Sequence, residues 1–327
     1  MTDLPTQALP QTSGQRDDSL LANVALLYYK EGLNQGEIAK RMGVSRATIV
    51  NYLREGRDRG IVDIRVKGEV LALSRESRDL CEKYGLEDAY VANIGEGEDA
   101  ALALRQTARA AAMALHNILE PGDRIGVAWG ETVKLVADDL PARHIPGTEV
   151  CQVIGSMDTQ RLLAAETCAI QIANRLGAEC HTLHAPAVLS SPALAQSLRA
   201  EPTIRTQLDR LKTLDAIITS VGDLADSGHI VTAGIATLDE VHQVSEADGA
   251  GFICSRFVNT NGESMALPIE ERLIAIELDD IRRTPKRILV ASGLNKLTAV
   301  RAVIAAGYVT HAIVDSNLAH ALIADDQ

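Results

Sequence analysis

The chain has 327 residues, of which 46% are hydrophobic, and it carries a net charge of −12 at neutral pH. This length suggests about two domains, and the apolar content excludes a chain that stays disordered. No apolar run reaches the roughly 18 residues of a membrane-spanning helix, and the polar N-terminus lacks the apolar core of a signal peptide. Five scattered cysteines without a CxxC pair fit a reducing compartment, so we expect a cytoplasmic protein without a membrane partner.

The charge is distributed unevenly along the chain. Residues 1–68 carry a net charge of +2, whereas the remainder carries −14. Because an acidic body is repelled by DNA phosphates, only the N-terminal part is expected to face nucleic acid.

The chain begins with a polar stretch, residues 1–18, which contains Pro5, Pro10 and Gly14 and predicts a disordered tail. From Leu20 to Tyr28 the apolar residues recur at spacings of three and four. That spacing places them on one face of a helix, so the first helix is predicted here.

Two further helices and a strand follow in short order. Asn34 is a candidate N-cap, and Glu37 three residues later completes a capping box. Gly43 permits a turn, after which Ser45 can cap a third helix that runs to about Arg59. Residues 61–66 are rich in β-branched residues and predict a short strand.

This order of elements is typical of a winged helix-turn-helix, which we place at residues 19–68. In that motif the third helix enters the major groove, where polar and basic side chains bond to bases or phosphates of operator double-stranded DNA. The predicted DNA contacts are Ser45, Arg46, Thr48, Asn51, Tyr52, Arg54 and, on the wing, Arg65. The alternative is an ordinary three-helix bundle with a solvated charged face.

Residues 69–327 alternate helical stretches with short apolar strands at 88–91, 124–127, 149–154, 216–220, 251–253, 287–291 and 311–314. This alternation predicts a Rossmann-like α/β domain with a mainly parallel sheet. In such sheets ligands bind beyond the carboxyl ends of the strands, where loops lead into helix N-termini.

The chain resembles the SorC family of bacterial regulators, also called DeoR-like sugar-binding regulators. The resemblance spans residues 20–324 and rests on LLYYKEGLNQGEIAKRMGVSRATIVNYLREGRDRGIVDIRV, IGVAWGETV, HAPAVLSSPALAQSLRAEPTIR, SVGDL, GFICSRFVNTNGE and ASGLNKLTAVRAVIAAGYVTHAIVDSNLAHALI. It implies a body related to sugar-phosphate isomerases and CoA transferases that binds a phosphorylated sugar. It also implies operator binding as a homotetramer or dimer of dimers, with an affinity that the ligand changes.

Within that resemblance, the loops after the strands supply the candidate effector residues. Backbone N–H groups of a glycine-rich loop at a helix N-terminus bind anions, the Thr132 hydroxyl can donate to phosphate, and Lys296 can pair with it. Glu131 suits a sugar hydroxyl better than a phosphate, so both kinds of ligand stay open. The predicted set is Gly126, Trp129, Gly130, Glu131, Thr132, Gly155, Ser156, Gly222, Asp223, Arg256, Phe257, Gly293 and Lys296.

Each of these assignments has an alternative without a ligand. The glycine loop can be a tight strand-helix turn, Arg256 can form a surface salt bridge, and Lys296 can be a solvated helix residue. A Schiff base between Lys134 and a sugar aldehyde is less favoured, because that side chain is expected on the first helical turn, facing water.

The sequence predicts neither a metal site nor a cofactor nor catalytic residues. Cys180, His181 and His184 have a spacing that suggests a metal site, but in a strand His181 points away from the other two. The leading hypothesis is a regulator of a carbohydrate catabolic operon, with repression relieved by the ligand preferred over activation. One alternative is a sugar-phosphate isomerase-like enzyme that uses Asp223 or Glu131 as its base; another is a body that only oligomerises.

Overall fold

The computed structural model describes residues 17–62, 74–95, 97–157, 164–226 and 228–324. The chain forms two compact units, Met1–Val66 and Lys67–Gln327. Most of the predicted tail, the greater part of the predicted wing strand and Arg65 lie outside the described residues.

The described part of the N-terminal unit contains the helices α1 (Asp18–Ala25), α2 (Gln35–Met42) and α3 (Arg46–Asp58), and a π-helical segment, Leu26–Lys30, continues α1. The predicted tail is too long by two residues, because Asp17 caps α1 through its carboxylate and Asp18 is its first residue. Val24, Leu27, Ile38, Ile49 and Leu53 form the shared core of the three helices.

The predicted helix caps of this unit are confirmed. Asn34 Oδ1 accepts the Glu37 N–H at 3.0 Å, and the Glu37 carboxylate accepts the Asn34 N–H at 2.8 Å. Ser45 Oγ accepts the Thr48 N–H at 3.0 Å. The two caps define where α2 and α3 begin, and with the left-handed Gly43 (φ 68°) they set the turn between them.

The helices of the second unit are α4 (Arg75–Tyr84), α5 (Ala100–Ile118), α6 (Glu131–Asp139), α7 (Ala165–Leu176), α8 (Pro192–Ala200), α9 (Pro202–Leu211), α10 (His229–Thr232), α11 (Leu238–Glu246), α12 (Leu278–Arg283), α13 (Leu297–Ala305) and α14 (Ser316–Ile323). Short 3₁₀ turns occupy Glu270–Arg272 and Leu294–Lys296. Among the helices that the structure describes, none has both the length and the apolarity to cross a bilayer.

The strands are β1 (Asp88–Ala92), β2 (Arg124–Val127), β3 (Glu149–Gln152), β4 (Glu179–His181), β5 (Ala216–Thr219), β6 (Val221–Gly222), β7 (Gly249–Ile253), β8 (Arg256–Asn259), β9 (Lys286–Ala291) and β10 (His311–Asp315). Seven of them form one sheet in the order β1-β10-β9-β5-β2-β3-β4, and every pair in it is parallel. The predicted parallel α/β body is thereby confirmed.

The strand predicted at 251–253 belongs to a different sheet from the one expected. As β7 it lies between β6 and β8 in a separate antiparallel sheet. The physical reason is the turn that follows it, where Cys254 and Ser255 both have positive φ, 49° and 65°. Such a two-residue turn reverses the chain into a hairpin, so β7 and β8 pair with each other.

The order of the parallel strands reverses between β2 and β5. From β2 the chain moves outward to β3 and β4, and then returns to place β5 on the other side of β2, followed by β9 and β10. The chain therefore continues from β2 and from β5 in opposite directions along the sheet, and a crevice opens at the carboxyl ends of these two strands. The topology thus selects one location on the sheet for a ligand.

We predict that Lys286 on β9 stabilises the opposite, N-terminal edge of the sheet. Its Nζ lies 2.9 Å from an Asp123 carboxylate that is only 8% exposed, and 2.8 Å from Glu120. Lys286→Met leaves that buried carboxylate without its cation, so the free energy of unfolding should fall by about 1–3 kcal/mol. Urea denaturation of the full chain, followed by circular dichroism, measures this.

The matched control is Lys212→Met. Lys212 Nζ lies 2.7 Å from Asp209, but both side chains are more than half exposed, at 58% and 54%. Its loss should cost less than about 0.5 kcal/mol. Equal losses in the two variants would show that burial of Asp123 does not set the strength of the Lys286 pair.

Candidate functional site

The α3 helix presents the predicted DNA contacts in two groups. Arg46, Asn51 and Arg54 are exposed. Arg46 Nε donates to Gln35 Oε1 at 3.3 Å, and Arg54 Nη2 donates to Asn51 Oδ1 at 3.2 Å, so both arginines are held near the helix surface by single weak bonds. These three side chains are free to exchange their present partners for bases or phosphates.

The other three predicted DNA-contacting residues, Ser45, Thr48 and Tyr52, already make contacts within the N-terminal unit. Ser45 is exposed, but its hydroxyl caps α3. Thr48 is half-buried, with its hydroxyl 2.8 Å from that of Ser45. Tyr52 packs partly against the core of the unit. Their contact with DNA stays a prediction, as does that of Arg65, which lies outside the described residues.

A cavity of about 670 Å³ lies in the second unit, at the carboxyl ends of β2, β5, β9 and β10. Its size is typical of a small-molecule site. It occupies the crevice that the strand order creates. The predicted effector residues that line it are Trp129, Gly130, Glu131, Thr132, Gly222, Asp223, Gly293 and Lys296.

Two helical segments begin at the wall of this cavity, each after a glycine. Gly130 precedes α6 with φ 106°, and Gly293 precedes the 3₁₀ turn that leads into α13 with φ 99°. These left-handed conformations favour glycine. Neither segment is capped by a side chain, so the first N–H groups of both are available to an anion, with the helix dipole adding to the attraction.

Lys296 is the cation of the cavity. Burial lowers the pKa of its ammonium group, while the nearby carboxylates of Asp223, Glu131 and Asp315 act in the opposite direction. Within the described part of the chain, its Nζ has neither a hydrogen-bond partner nor an ion pair within 4.0 Å. A half-buried ammonium group without a direct partner is suited to take one from a ligand.

The carboxylates of the cavity are held in place by their own partners. Asp315 is 1% exposed, and it accepts the Gly293 N–H at 2.7 Å with one oxygen and the Leu318 N–H at 2.8 Å with the other. Asp223 accepts a hydrogen bond from Asn295 Nδ2. Oriented carboxylates of this kind accept hydrogen bonds from hydroxyl groups.

Glu131 lies near a residue that the sequence did not indicate. Its Oε2 is 3.8 Å from Nε2 of His229, which belongs to the four-residue helix α10. Asn295 and Asp315 were also missed. Asp315 follows the same rule as the predicted residues, because it ends a strand and caps the next helix; His229 lies in a segment with no periodic pattern to place it.

Part of the cavity wall is apolar. Trp129 and Phe252 both line it, and each is 7% exposed. The Trp129 Nε1–H donates to Ser255 Oγ at 2.9 Å, which satisfies its polar atom inside the protein. The remaining aromatic surface is suited to the C–H face of a small carbohydrate.

Three predicted glycine-loop residues do not line the cavity. Gly126 is inside β2, where an added Cβ would lie 2.6 Å from the Leu214 side chain. An added Cβ at Gly155 would lie 2.5 Å from the Ala185 carbonyl oxygen, and that oxygen also accepts the Ser156 N–H at 2.7 Å. The structure does not bring these three to the cavity: Gly126 lies within the sheet among neighbouring side chains, and the loop after β3, on the far side of β2 from the crevice, bonds to neighbouring backbone.

Arg256 and Phe257 also lie outside the cavity, on β8. Arg256 is buried and donates to Glu270 at 2.8 Å and to the Ile276 carbonyl at 2.8 Å. Phe257 is fully buried, with its ring centroid 6.0 Å from that of Phe252. The hairpin turns Phe257 into the core and directs Arg256 to its ion pair with Glu270, so neither residue is brought to the cavity with the other predicted effector residues. The surface salt bridge considered for Arg256 is instead a buried ion pair.

Lys134 and His181, which were considered for a Schiff base and for a metal site, both lie close to a carboxylate. Lys134 Nζ pairs with Asp138 one turn later on α6, and Lys134 does not line the cavity. His181 Nε2 lies 3.6 Å from Glu149 on the neighbouring strand. Among the described residues, no three His, Cys, Asp or Glu side chains are grouped so that they could hold a metal ion.

The chain is similar to known proteins over almost its whole length. A family model of a sugar-binding domain matches residues 69–324. YjhU, an uncharacterized transcriptional regulator of Escherichia coli (strain K12), is 32% identical over 312 residues, covering 94% of this chain and 95% of its own. The deoxyribonucleoside regulator of Bacillus subtilis (strain 168) is 28% identical over 307 residues, with coverages of 94% and 97%. The crystal structure of the full-length sorbitol operon regulator SorC from Klebsiella pneumoniae has a TM-score of 0.71 at 26% identity, covering 94% of this chain and 99% of that one.

We predict that Lys296 becomes reactive at a lower pH than an ordinary lysine. Only the neutral amine is acylated, and burial lowers the pKa of Lys296, whereas the hydrogen bond to Asp209 raises that of Lys212. Competitive labelling with an amine-acylating reagent across a pH series, quantified by mass spectrometry, should therefore give Lys296 the lower midpoint. Asp223→Asn removes a carboxylate that raises the pKa and should lower this midpoint further. A midpoint for Lys296 at or above that of Lys212 would contradict the assignment.

Proposed function

Because the chain belongs to the SorC family of sugar-binding transcriptional regulators, we propose that it controls a carbohydrate catabolic operon by binding operator DNA with a phosphorylated sugar as effector. One observation carries the choice of effector. The unpartnered ammonium group of Lys296 lies in the same cavity as two uncapped helix N-termini.

The two kinds of group in the cavity suit the two ends of a sugar phosphate. Backbone N–H groups, the helix dipoles and Lys296 attract a phosphate dianion. The fixed carboxylates of Asp223 and Asp315 accept hydrogen bonds from hydroxyl groups. Glu131 is directed toward His229, so that the loop can bind phosphate through its backbone while the carboxylate serves a hydroxyl.

The names of two relatives support a carbohydrate ligand. One is the regulator of a sorbitol operon and the other is a deoxyribonucleoside regulator, and both are similar to this chain over at least 94% of its length. Polyols and pentoses are small enough for a cavity of about 670 Å³. We therefore expect a phosphorylated polyol or a phosphorylated pentose or hexose.

We further propose that α14 carries the effector signal away from the cavity. Its N-cap is Asp315, which binds the Gly293 N–H inside the cavity. At its other end, the Leu322 carbonyl accepts the Tyr84 hydroxyl at 2.8 Å, and the Ile323 and Ala324 carbonyls accept Lys83 Nζ at 3.0 and 3.1 Å.

Tyr84 and Lys83 belong to α4, the first described helix after the DNA-binding unit along the chain. A phosphate that competes for the Gly293 N–H would change the hydrogen bonding of Asp315, and hence the position of α14 against α4. Binding at the cavity and the orientation of the chain that enters the DNA-binding unit would then be energetically coupled.

We propose that the chain binds its operator as an oligomer. The DNA-binding unit carries little net positive charge, so a single copy is expected to bind weakly, and a tetramer or dimer of dimers would gain affinity from several copies acting together. We propose a repressor that the effector releases. A protein that acts on bacterial operator DNA works in the cytoplasm.

The double variant Thr132→Val, Lys296→Ala tests the effector site. DNA selected from a random duplex pool by the wild-type chain should be released by at least one member of a panel of phosphorylated polyols, pentoses and hexoses. The double variant should bind that DNA with an unchanged Kd but show no release, because it lacks both side chains expected at the phosphate. Fluorescence anisotropy measures both quantities, and Lys212→Ala serves as the control.

Two outcomes would change the proposal. A double variant that still responds normally would remove Thr132 and Lys296 from the site. Turnover of a sugar phosphate by the purified chain, abolished by Asp223→Ala, would favour the isomerase-like alternative instead.

A second pair of substitutions tests the proposed role of α14. Tyr84→Phe with Lys83→Met removes the hydrogen bonds that these two side chains make to the end of α14, without touching the cavity. Effector affinity by calorimetry should change less than about twofold, while the effector-induced change in DNA affinity should fall at least about fivefold, since coupling of this kind typically amounts to about 1–3 kcal/mol.

The matched control is Tyr308→Phe, which deletes a hydroxyl that accepts a bond from Arg282 at 2.9 Å elsewhere in the same unit. It should leave the effector response intact. An undiminished response in the α4 variant would exclude this route.

A further inference from the structure

The α3 helix exposes an apolar side chain, Val50, which is not among the predicted DNA-contacting residues. Val50 is 42% exposed, although large apolar side chains of the N-terminal unit mostly face its core. Helical spacing makes Ala47 and Arg54, three and four residues away, its neighbours on the helix surface, and Asn51 follows it along the chain. It therefore lies on the exposed surface of α3, beside Ala47 and Arg54.

The fold of the unit gives no reason for valine at this position. The inward face of α3 is supplied by Ile49 and Leu53, which are both buried. A β-branched residue is a poorer helix former than alanine or a long polar residue, so an exposed valine in mid-helix slightly weakens α3. A contact outside the unit would account for it.

We propose that Val50 contacts the C5-methyl group of a thymine in the major groove and so contributes to operator specificity. This proposal rests on the proposed DNA binding of the chain. In the major groove thymine alone presents a methyl group, and small apolar side chains recognise it by contact. Val50 thus adds an apolar contact to the polar contacts that Asn51 and Arg54 of the same helix can make.

The positive charges around Val50 favour DNA, rather than another protein surface, as the partner of this face of α3. Arg46, Arg54 and Arg57 are exposed on the same helix. They match the phosphates on either side of a groove. A second copy of the helix packed face to face would instead bring like charges together, which opposes a self-contact through Val50.

The experiment is a double-mutant cycle between the protein and its DNA. Duplex DNA is first selected from a random pool by the full-length wild-type chain. Each thymine of the selected duplex is then replaced by deoxyuridine, one position at a time, which removes only the methyl group. The wild-type chain should lose about fourfold in affinity at one or two of these positions, the expected effect of one buried methyl group.

Val50→Ala should bind the unmodified duplex about fourfold more weakly and should be indifferent to deoxyuridine at the same positions. The matched control is Ile170→Ala, at a β-branched residue of α7 that is 43% exposed. It should reproduce the wild-type affinities throughout. Circular dichroism of both variants checks that the helix content of the whole chain is unchanged.

Three outcomes would overturn the proposal. If no thymine is sensitive in the wild type, or if Val50→Ala is as sensitive as the wild type, Val50 does not contact a methyl group although the chain binds DNA. If no duplex is enriched at all, the proposed DNA binding fails and the role of Val50 fails with it.

Discussion

The ligand cavity depends on the parallel arrangement of the seven-stranded sheet. Because every pair of strands in it is parallel, the carboxyl ends of all seven strands meet at one edge, and the loops that follow them meet there too. The reversal of strand order between β2 and β5 then opens a crevice at a single point of that edge. Residues separated by nearly two hundred positions, such as Thr132 and Asp315, become neighbours in this crevice without any local sequence relation.

The electrostatics of the cavity follow from the same construction. Strands β2, β9 and β10 each lead into a helical segment there, so helix N-termini with unsatisfied N–H groups converge on the space. Asp315 occupies one of these positions and satisfies two N–H groups, whereas the segments after Gly130 and Gly293 are uncapped. A cavity that combines uncapped N–H groups, Lys296 and fixed carboxylates favours a ligand with both an anionic and a hydroxylated end.

The predicted effector residues that do not line the cavity are kept from it by strand order and by the β7–β8 hairpin. Gly155 and Ser156 follow a strand just as Gly130 does, and the sequence offers no sign that β3 lies beyond β2 from the crevice. Arg256 and Phe257 were assigned to a loop after a strand, but the Cys254–Ser255 turn folds them back as β8. A strand is recognised from a few residues, whereas its neighbours in the sheet depend on contacts across the whole chain.

By itself the sequence determined the caps of α2 and α3, the three-helix order of the N-terminal unit and the alternation of the parallel α/β body. These features depend on contacts between residues three or four positions apart, or on the periodic burial of one face, and both are visible locally. The tertiary structure alone decided which loops share the cavity and brought His229 and Asn295 to it. It also placed the ammonium group of Lys296 where no described side chain pairs with it directly. Those outcomes depend on strand order and burial, which arise only when distant segments pack together.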